Sequence, residues 1–447
     1  MTWRGFRVLI AIILIALLCK ACLVKDTVPN NQKRIQTESD KLQVNYPAPK
    51  NVTINGIDYL ESTAPIGKFG GELVSSTIGE GPKTFNPFNC KDNTSQTMAS
   101  IMYDGLLTSD PITGQPTPKL AKSFSISPNG KTYTIKLRCG IKWSDGKPIT
   151  ADDVVFTWND IIFAGLGDTS TRDSIVIDGK LPTVKKIDNY TVEFTTPKPF
   201  APFIRMLSTS IAPKHVFMPA IKKGSAYFDS FLSTNTKPSD FVVSGAFKLK
   251  EYVPAQRVVF ERNPNYYEIN SKGQKLPYLD KLVYLIVGDL NNEVLKFEAK
   301  ELDVISLQGS KVARYKSLEP HSDFKLYNLG PDTGTMYLSM NLNNRKNNKG
   351  KYYVDPDKQM WFQDLDFRKA VDYAIDRKNM VLNIANGIGA PLFTPESLNS
   401  IYLNKNLKPY DKDLNKSKQL LKKSGFYLDK KGKLFNNTGN SFYFFFY

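Results

Sequence analysis

At 447 residues, with 41% hydrophobic and 12% aromatic residues, the chain is too long for a single core and too apolar for wholesale disorder, so two or three folded domains are expected. Its formal net charge of +17 comes from 60 Lys and Arg against 43 Asp and Glu, which raises a nucleic-acid or anionic-membrane partner. The distribution argues against both. Lysines occur along the whole chain in short clusters such as Lys185-Lys186, Lys222-Lys223, Lys422-Lys423 and Lys430-Lys431, with no long basic stripe interleaved with aromatics, and they read as a solvated surface; no nucleic-acid partner is expected.

At the N-terminus, Arg4 and Arg7 precede an unbroken apolar run from Val8 to Leu18, followed by Cys19-Lys20-Ala21-Cys22, the layout of a secretory signal. A spanning helix needs about 20 apolar residues; this run has 11 before Lys20 stops it. Residues 1–22 are therefore read as a signal. Ala21 before Cys22 resembles the end of a bacterial lipoprotein signal, with Cys22 as the lipidated residue. Cys19 and Lys20 stand where that pattern usually has Leu and a small residue, and plain cleavage or an uncleaved anchor are the alternatives. Residues 23–64, rich in Asn, Lys, Pro and Thr and without periodicity, suit a flexible tether, and folding is expected to begin near Pro65.

Cys90 and Cys139 are the cysteines left beyond the signal, with no CxxC pair, and either one disulfide or two unpaired buried thiols remains open. The two histidines, His215 and His321, lie about a hundred residues apart, and there is no HExxH, no GxSxG and no phosphate-cradling glycine loop. No catalytic residue, metal or cofactor is expected.

Further along, Phe124 to Ser127 and Lys131 to Leu137 flank Pro128-Asn129-Gly130, and the second run alternates Tyr133, Ile135 and Leu137 with Thr132, Thr134 and Lys136: a half-buried hairpin. Ser144-Asp145-Gly146 makes a turn. Thr150, three residues before Asp153 and ahead of Val154, Val155 and Trp158, signals a capped helix start, which accounts for the paired carboxylates Asp152 and Asp153. Tyr190 to Thr195 and Arg257 to Glu261 alternate as strands. In the last third, Asp366 is read as the cap of a helix carrying Phe367, Ala370, Val371 and Ala374, and Asp376 as the cap of the next, through Met380, Val381, Ile384 and Ala385 to Gly387. A third helix through Leu414, Leu420 and Leu421 stops at Gly425. Sheet and helix alternate as in an α/β domain.

The blocks Ala121-Lys-Ser-Phe, Ser127-Pro-Asn-Gly-Lys-Thr-Tyr-Thr-Ile-Lys-Leu-Arg138 and Ile141-Lys-Trp-Ser-Asp-Gly-Lys-Pro-Ile-Thr-Ala-Asp-Asp-Val-Val-Phe156 resemble family 5 of the extracellular solute-binding proteins, the oligopeptide- and dipeptide-binding proteins of ABC importers. Further matches in order are Ser244 to Leu249, Glu261-Arg-Asn-Pro-Asn-Tyr-Tyr267, Leu276-Pro-Tyr-Leu-Asp280, Phe367-Arg-Lys-Ala with Ala374-Ile-Asp-Arg377, and Ser417 to Phe426. Departures are Lys300-Glu301-Leu302-Asp303 in place of Gly-Glu-Ile-Asp, Cys139 in place of a polar residue, and Phe442 to Tyr447, which looks like a strand that family members continue into further elements.

The resemblance implies an α/β fold, a two-lobed periplasmic-binding-protein-like clamshell of type II with an extra domain and an incomplete second lobe. Lobe one maps to 65–105 and 190–306, the extra domain to 106–189, and lobe two to 307–447. It implies a binding subunit, not an enzyme, that holds an extended short peptide in the interlobe cleft by backbone pairing and delivers it to the permease subunits. The chain would act as a monomer outside the cytoplasmic membrane, lipid-anchored or secreted. Asn93, Thr94 and Ser95 fall where relatives run a segment beside the ligand, and Tyr337 to Asn341 is a candidate lobe-two strand near the cleft. Trp143 and Trp158 read as core of the extra domain. The alternatives are another solute, such as a nickel chelate, sugar or opine, and a truncated remnant without function.

Overall fold

The computed structural model describes residues 48–439 except 111–113, 330–335, 385–386, 399, 401–402, 405, 408–409 and 437–438. Cys22, the signal and the terminal run Phe442–Tyr447 lie outside the described residues, as does Ala385. Among the described residues, no helix is long and apolar enough to cross a membrane.

The expected tether does not extend to residue 64. Asn55 and Gly56 both take positive φ, 50° and 77°, and this two-residue turn folds Lys50–Ile54 (β1) antiparallel onto Ile57–Glu61 (β2), as Asn-Gly turns do. The free edge of β2 then pairs in parallel with Glu268–Ile269. β1 is largely exposed, so its sequence lacks the apolar alternation that announces a strand.

Glu72–Ile78 (β3) ends in glycine turns and leads to a helix, Asn93–Met102 (α1). Asp92 caps it, accepting from Ser95 N at 2.9 Å. Met98 and Met102 face inward among Phe85, Phe217, Phe228 and Phe260.

The extra sheet comes next. Ala121–Ile126 (β4) and Thr132–Leu137 (β5) form the expected hairpin, with Gly130 at φ 67°. Thr150 and Asp153 close a capping box at the start of Ala151–Phe156 (α2), and one π turn, Thr157–Ile162, extends it. Thr183–Asp188 (β6) and Thr191–Thr195 (β7) complete the sheet in the order β4-β5-β7-β6, antiparallel throughout. β7 lies between β5 and β6, so a boundary at 189/190 falls inside one sheet. Trp143 and Trp158 are fully buried, and the Trp158 ring lies 5.1 Å from Phe194 and 6.0 Å from Phe203. Burying each such ring is worth about 1.5–3 kcal/mol.

The chain then returns. Phe247–Val253 (β8), Arg257–Arg262 (β9) and Lys281–Val287 (β10) pair antiparallel, and β10 pairs with β3 in parallel register, Val283 opposite Val74. A parallel neighbour demands a long crossover; here the crossover contains the whole extra sheet. Leu290–Glu298 (α3), capped by Asp289, follows β10, and its buried Glu293 accepts from Ser76 Oγ of β3 at 2.5 Å. Gly309–Leu318 (α4) places Tyr315 against Phe297 and Phe324.

In the last third, Pro356–Gln363 (α5), Leu365–Ala374 (α6), Arg377–Asn383 (α7) and Leu414–Lys423 (α8) precede the short hairpin of Tyr427–Leu428 (β11) and Leu434–Phe435 (β12). Trp361, Phe367 and Phe426 form its core. Asp364, not Asp366, caps α6: Asp364 Oδ1 accepts from Phe367 N at 3.0 Å, while Asp366 pairs with Lys423 at 2.6 Å. Asp376 caps α7 and Asp413 caps α8.

Candidate ligand-binding site

β3 is the last strand of its sheet, and its backbone groups alternate between two sides. Gly79 N donates to Val287 O at 2.8 Å on the sheet side. Val74, Ser76 and Ile78 therefore turn their backbone N–H and C=O to the outer edge. Asp303 takes the first of the three: its N donates to Val74 O at 2.8 Å, and its Oδ2 accepts from Val74 N at 2.7 Å. Among the described residues no strand pairs with the other two. The sequence did not single out this edge, because whether a strand is an edge depends on a partner two hundred residues away.

α1 starts beside it. Thr94 Oγ1 lies 3.1 Å from Thr77 Oγ1 of β3, so Thr94 is half-buried against the strand, while Asn93 is exposed. Ser95 is buried: its hydroxyl donates to Asp92 Oδ2 at 2.7 Å and accepts from Lys83 N at 2.9 Å and Thr84 N at 3.4 Å. That hydroxyl holds the preceding loop. The segment 337–341 is not a strand: Tyr337 is 81% exposed and Asn341 Oδ1 accepts from Asn343 N at 3.0 Å, making a side-chain turn. A strand needs a partner to pair its backbone, and no strand lies alongside among the described residues.

A half-buried ionic cluster gathers around Lys119, Asp104 and Glu268. Lys119 Nζ donates to Tyr266 Oη at 2.7 Å and to Glu268, and stands 3.9 Å from Asp104, whose Oδ2 accepts from Tyr267 Oη at 2.8 Å. Burial raises the Asp104 carboxyl against the pull of Lys119 and Tyr267. Burial would lower Lys119, yet Asp104, Tyr267 and Glu268 hold it above the ordinary lysine range. The Arg138 guanidinium lies 5.9 Å from the Tyr267 ring; Arg138, Tyr266 and Tyr267 fall within the sequence blocks quoted above, but nothing local in them reports that they converge.

Cys90 and Cys139 are unpaired. Burial, with Asp92 and Asp168 nearby, pushes the Cys90 thiol up to about 12, so it stays protonated and unreactive at neutral pH. His215 Nε2 meets Asp145 Oδ2 at 2.7 Å. Among the described residues no three His, Cys, Asp or Glu side chains converge as a metal site.

The model of the bacterial extracellular solute-binding proteins, family 5 middle, matches residues 115–446. A probable ABC transporter-binding protein of Deinococcus radiodurans is 32% identical over 322 residues, covering 70% of this chain and 52% of that protein. The oligopeptide-binding protein AppA of Bacillus subtilis is 28% identical over 380 residues, 83% of this chain and 63% of AppA. The AppA structure in complex with a nonapeptide matches with a TM-score of 0.61 at 25% identity, over 84% of this chain and 68% of that one. A periplasmic alpha-galactoside-binding protein of Rhizobium meliloti is 30% identical over 331 residues, 70% of this chain and 46% of that protein. The chain thus spans about half to two thirds of the length of these curated relatives. The structural likeness gives the α/β clamshell class of the solute-binding proteins, the class the sequence leads one to expect.

Proposed function

Because the chain belongs to family 5 of the bacterial extracellular solute-binding proteins, we propose that it captures short peptides in extended form and delivers them to the permease of an ABC importer. The observation that carries this reading is the outer edge of β3, where Ser76 and Ile78 present backbone donors and acceptors beside Asn93 and Thr94. An extended peptide added there gains main-chain hydrogen bonds that any sequence offers, so affinity and breadth come together. Asn93 and Thr94 would flank the ligand, with Ser95 supporting them from inside; Tyr337 and Asn341 would approach it from the second lobe. The role is binding, not catalysis, with no cofactor, by a monomer outside the cytoplasmic membrane. Cys22 would carry its lipid anchor.

A second reading, a sugar ligand, is favoured by the likeness to the alpha-galactoside-binding protein. Titration calorimetry separates the two, with a mixed di- to pentapeptide pool, a set of galactosides and a nickel–histidine chelate as titrants. Peptide heat at micromolar affinity or tighter, about 8 kcal/mol, supports the proposal. Heat with galactosides alone transfers the assignment, and silence with every titrant removes it from this chain.

A further inference from the structure

Lysines occur along the whole chain, but their excess over acidic residues is largest in its last third, a distinction that the spread of lysines alone hides. Residues 48–335 carry 34 Lys and Arg against 30 Asp and Glu, whereas residues 336–447 carry 19 against 10. Between 405 and 433 the cations are ten lysines and the anions three aspartates. α8 turns Ser417, Leu420 and Leu421 inward: Ser417 Oγ donates to Ala370 O at 2.7 Å, and Leu421 packs on the Trp361–Phe367–Phe426 core. Lys416, Lys418, Lys422 and Lys423 are left exposed, and the hairpin that follows at once adds exposed Lys430, Lys431 and Lys433.

The local acids do not neutralise this face. Asp413 Oδ1 accepts from Lys416 N at 2.8 Å, and Asp429 Oδ1 accepts from Lys431 N and Lys433 N at 2.8 Å each, so both are turned to backbone N–H groups. Lys423 pairs with Asp366, but among the described residues Lys418, Lys422, Lys430 and Lys431 have no ion pair. Between these ammonium groups stand Tyr427 and Leu428, 51% and 52% exposed, at the base of the hairpin. Tyr427 stacks on Phe435 at 5.7 Å.

We propose that α8 and the β11–β12 hairpin form a docking face for an anionic phospholipid surface, with the lysines over headgroup phosphates and Tyr427 and Leu428 entering the interfacial layer. Charge complementarity carries the lysines. The exposed tyrosine and leucine select the bilayer, since a soluble polyanion offers phosphate but no apolar layer, and an amphipathic basic surface of this kind lies in the interface plane. The inference rests on the membrane-side location proposed above and adds an orientation: the last third of the chain faces the lipid.

The test is hydrogen exchange of the full chain, followed over residues 414–435, on vesicles of phosphatidylcholine with and without phosphatidylglycerol. A lysine at such a surface contributes on the order of fivefold in partition. Exchange in this segment is expected to slow by roughly tenfold or more on the anionic vesicles relative to the neutral ones. The difference is lost at about 1 M salt, where charges are screened beyond about 3 Å. It is also lost when Lys418, Lys422, Lys430 and Lys431 are all changed to Gln, and kept when Lys185, Lys186, Lys222 and Lys223 are changed instead. Equal protection on both vesicles, or equal loss in the two variants, overturns the proposal; so does protection by soluble polyphosphate without protection by vesicles. A chain that associates with neither vesicle also overturns it, while leaving solute binding to be judged by calorimetry.

Discussion

The Arg138 guanidinium and the Asn51 side chain meet at 2.8 Å, Nη1 to Oδ1, across 87 residues of chain. The same nitrogen donates to Tyr59 O at 3.1 Å, and Nε donates to Lys119 O at 2.7 Å. One fully buried cation thus fastens β1 and β2 to the segment that enters the extra sheet. Arg138→Met leaves two carbonyls and an amide oxygen without their donor, and a buried acceptor left unsatisfied in this way costs about 1–3 kcal/mol. Asn51→Ala removes that acceptor and the exposed Nδ2 donor to Lys122 O at 3.1 Å, and costs about 1 kcal/mol. Urea midpoints measure both; an Arg138→Met chain as stable as wild type would show that the hairpin is held by other contacts.

Asp58 makes the stability of the same hairpin depend on pH. Burial raises its carboxyl, but the Lys122 ammonium at 2.8 Å, the Thr53 hydroxyl at 2.6 Å and the Cys139 N–H at 3.1 Å outweigh it, and its pKa lies below the ordinary 3.8. With a depressed folded-state value, the unfolded chain takes up the proton first as pH falls. The stabilisation is therefore full above the unfolded pKa and disappears as pH falls through the folded one. Asp58→Asn is expected to be less stable than wild type near pH ~7, with the gap narrowing progressively as pH falls below the ordinary carboxylate value of 3.8. A gap that stays constant over this range would assign the loss to shape instead of charge.

These two anchors mark where the sequence was legible and where it was not. Thr150 with Asp153, and Asn129 with Gly130, are local devices whose partners lie within a few residues, so cap and turn could be read directly. Choosing between Asp364 and Asp366 as the cap of α6 required knowing that Lys423, 57 residues on by number, claims Asp366. β1 and β2 read locally as tether because their partners, Arg138 and Glu268–Ile269, are far away in sequence. The same limit hid the role of Ser95, whose partners Lys83 N and Thr84 N precede the helix.

Space, and not backbone conformation, requires glycine at 105. A Cβ there would stand 2.3 Å from the Ser208 carbonyl oxygen and 2.8 Å from its Cα, where Gly105 bridges to Ser210. The neighbour is main chain, so no side chain can swing aside. Gly105→Ala is expected to lose about 1–3 kcal/mol, the usual range for overpacking, read as a drop in melting temperature. An unchanged melt would mean that the 208–210 turn yields freely.

The start of α1 offers a separation of structural from ligand-facing roles. Every hydrogen bond of the buried Ser95 hydroxyl points inward, to Asp92, Lys83 and Thr84. Ser95→Ala leaves the Lys83 amide unsatisfied and should cost about 1–3 kcal/mol of stability. It should leave the affinity of the surviving folded fraction for peptide unchanged. Asn93 is exposed and immediately precedes Thr94, which contacts β3, so Asn93→Ala is expected to stay within about 0.5 kcal/mol of wild-type stability. If Asn93 flanks the ligand, the same change removes one hydrogen bond to it and weakens binding by about 1 kcal/mol, near fivefold. Urea midpoints and calorimetric Kd values on both variants give four numbers, and the reading requires them to cross: stability lost only at 95, affinity lost only at 93. A Ser95→Ala chain of full stability and reduced affinity would instead put the hydroxyl in contact with the ligand, and an Asn93→Ala chain that binds like wild type would remove Asn93 from the site.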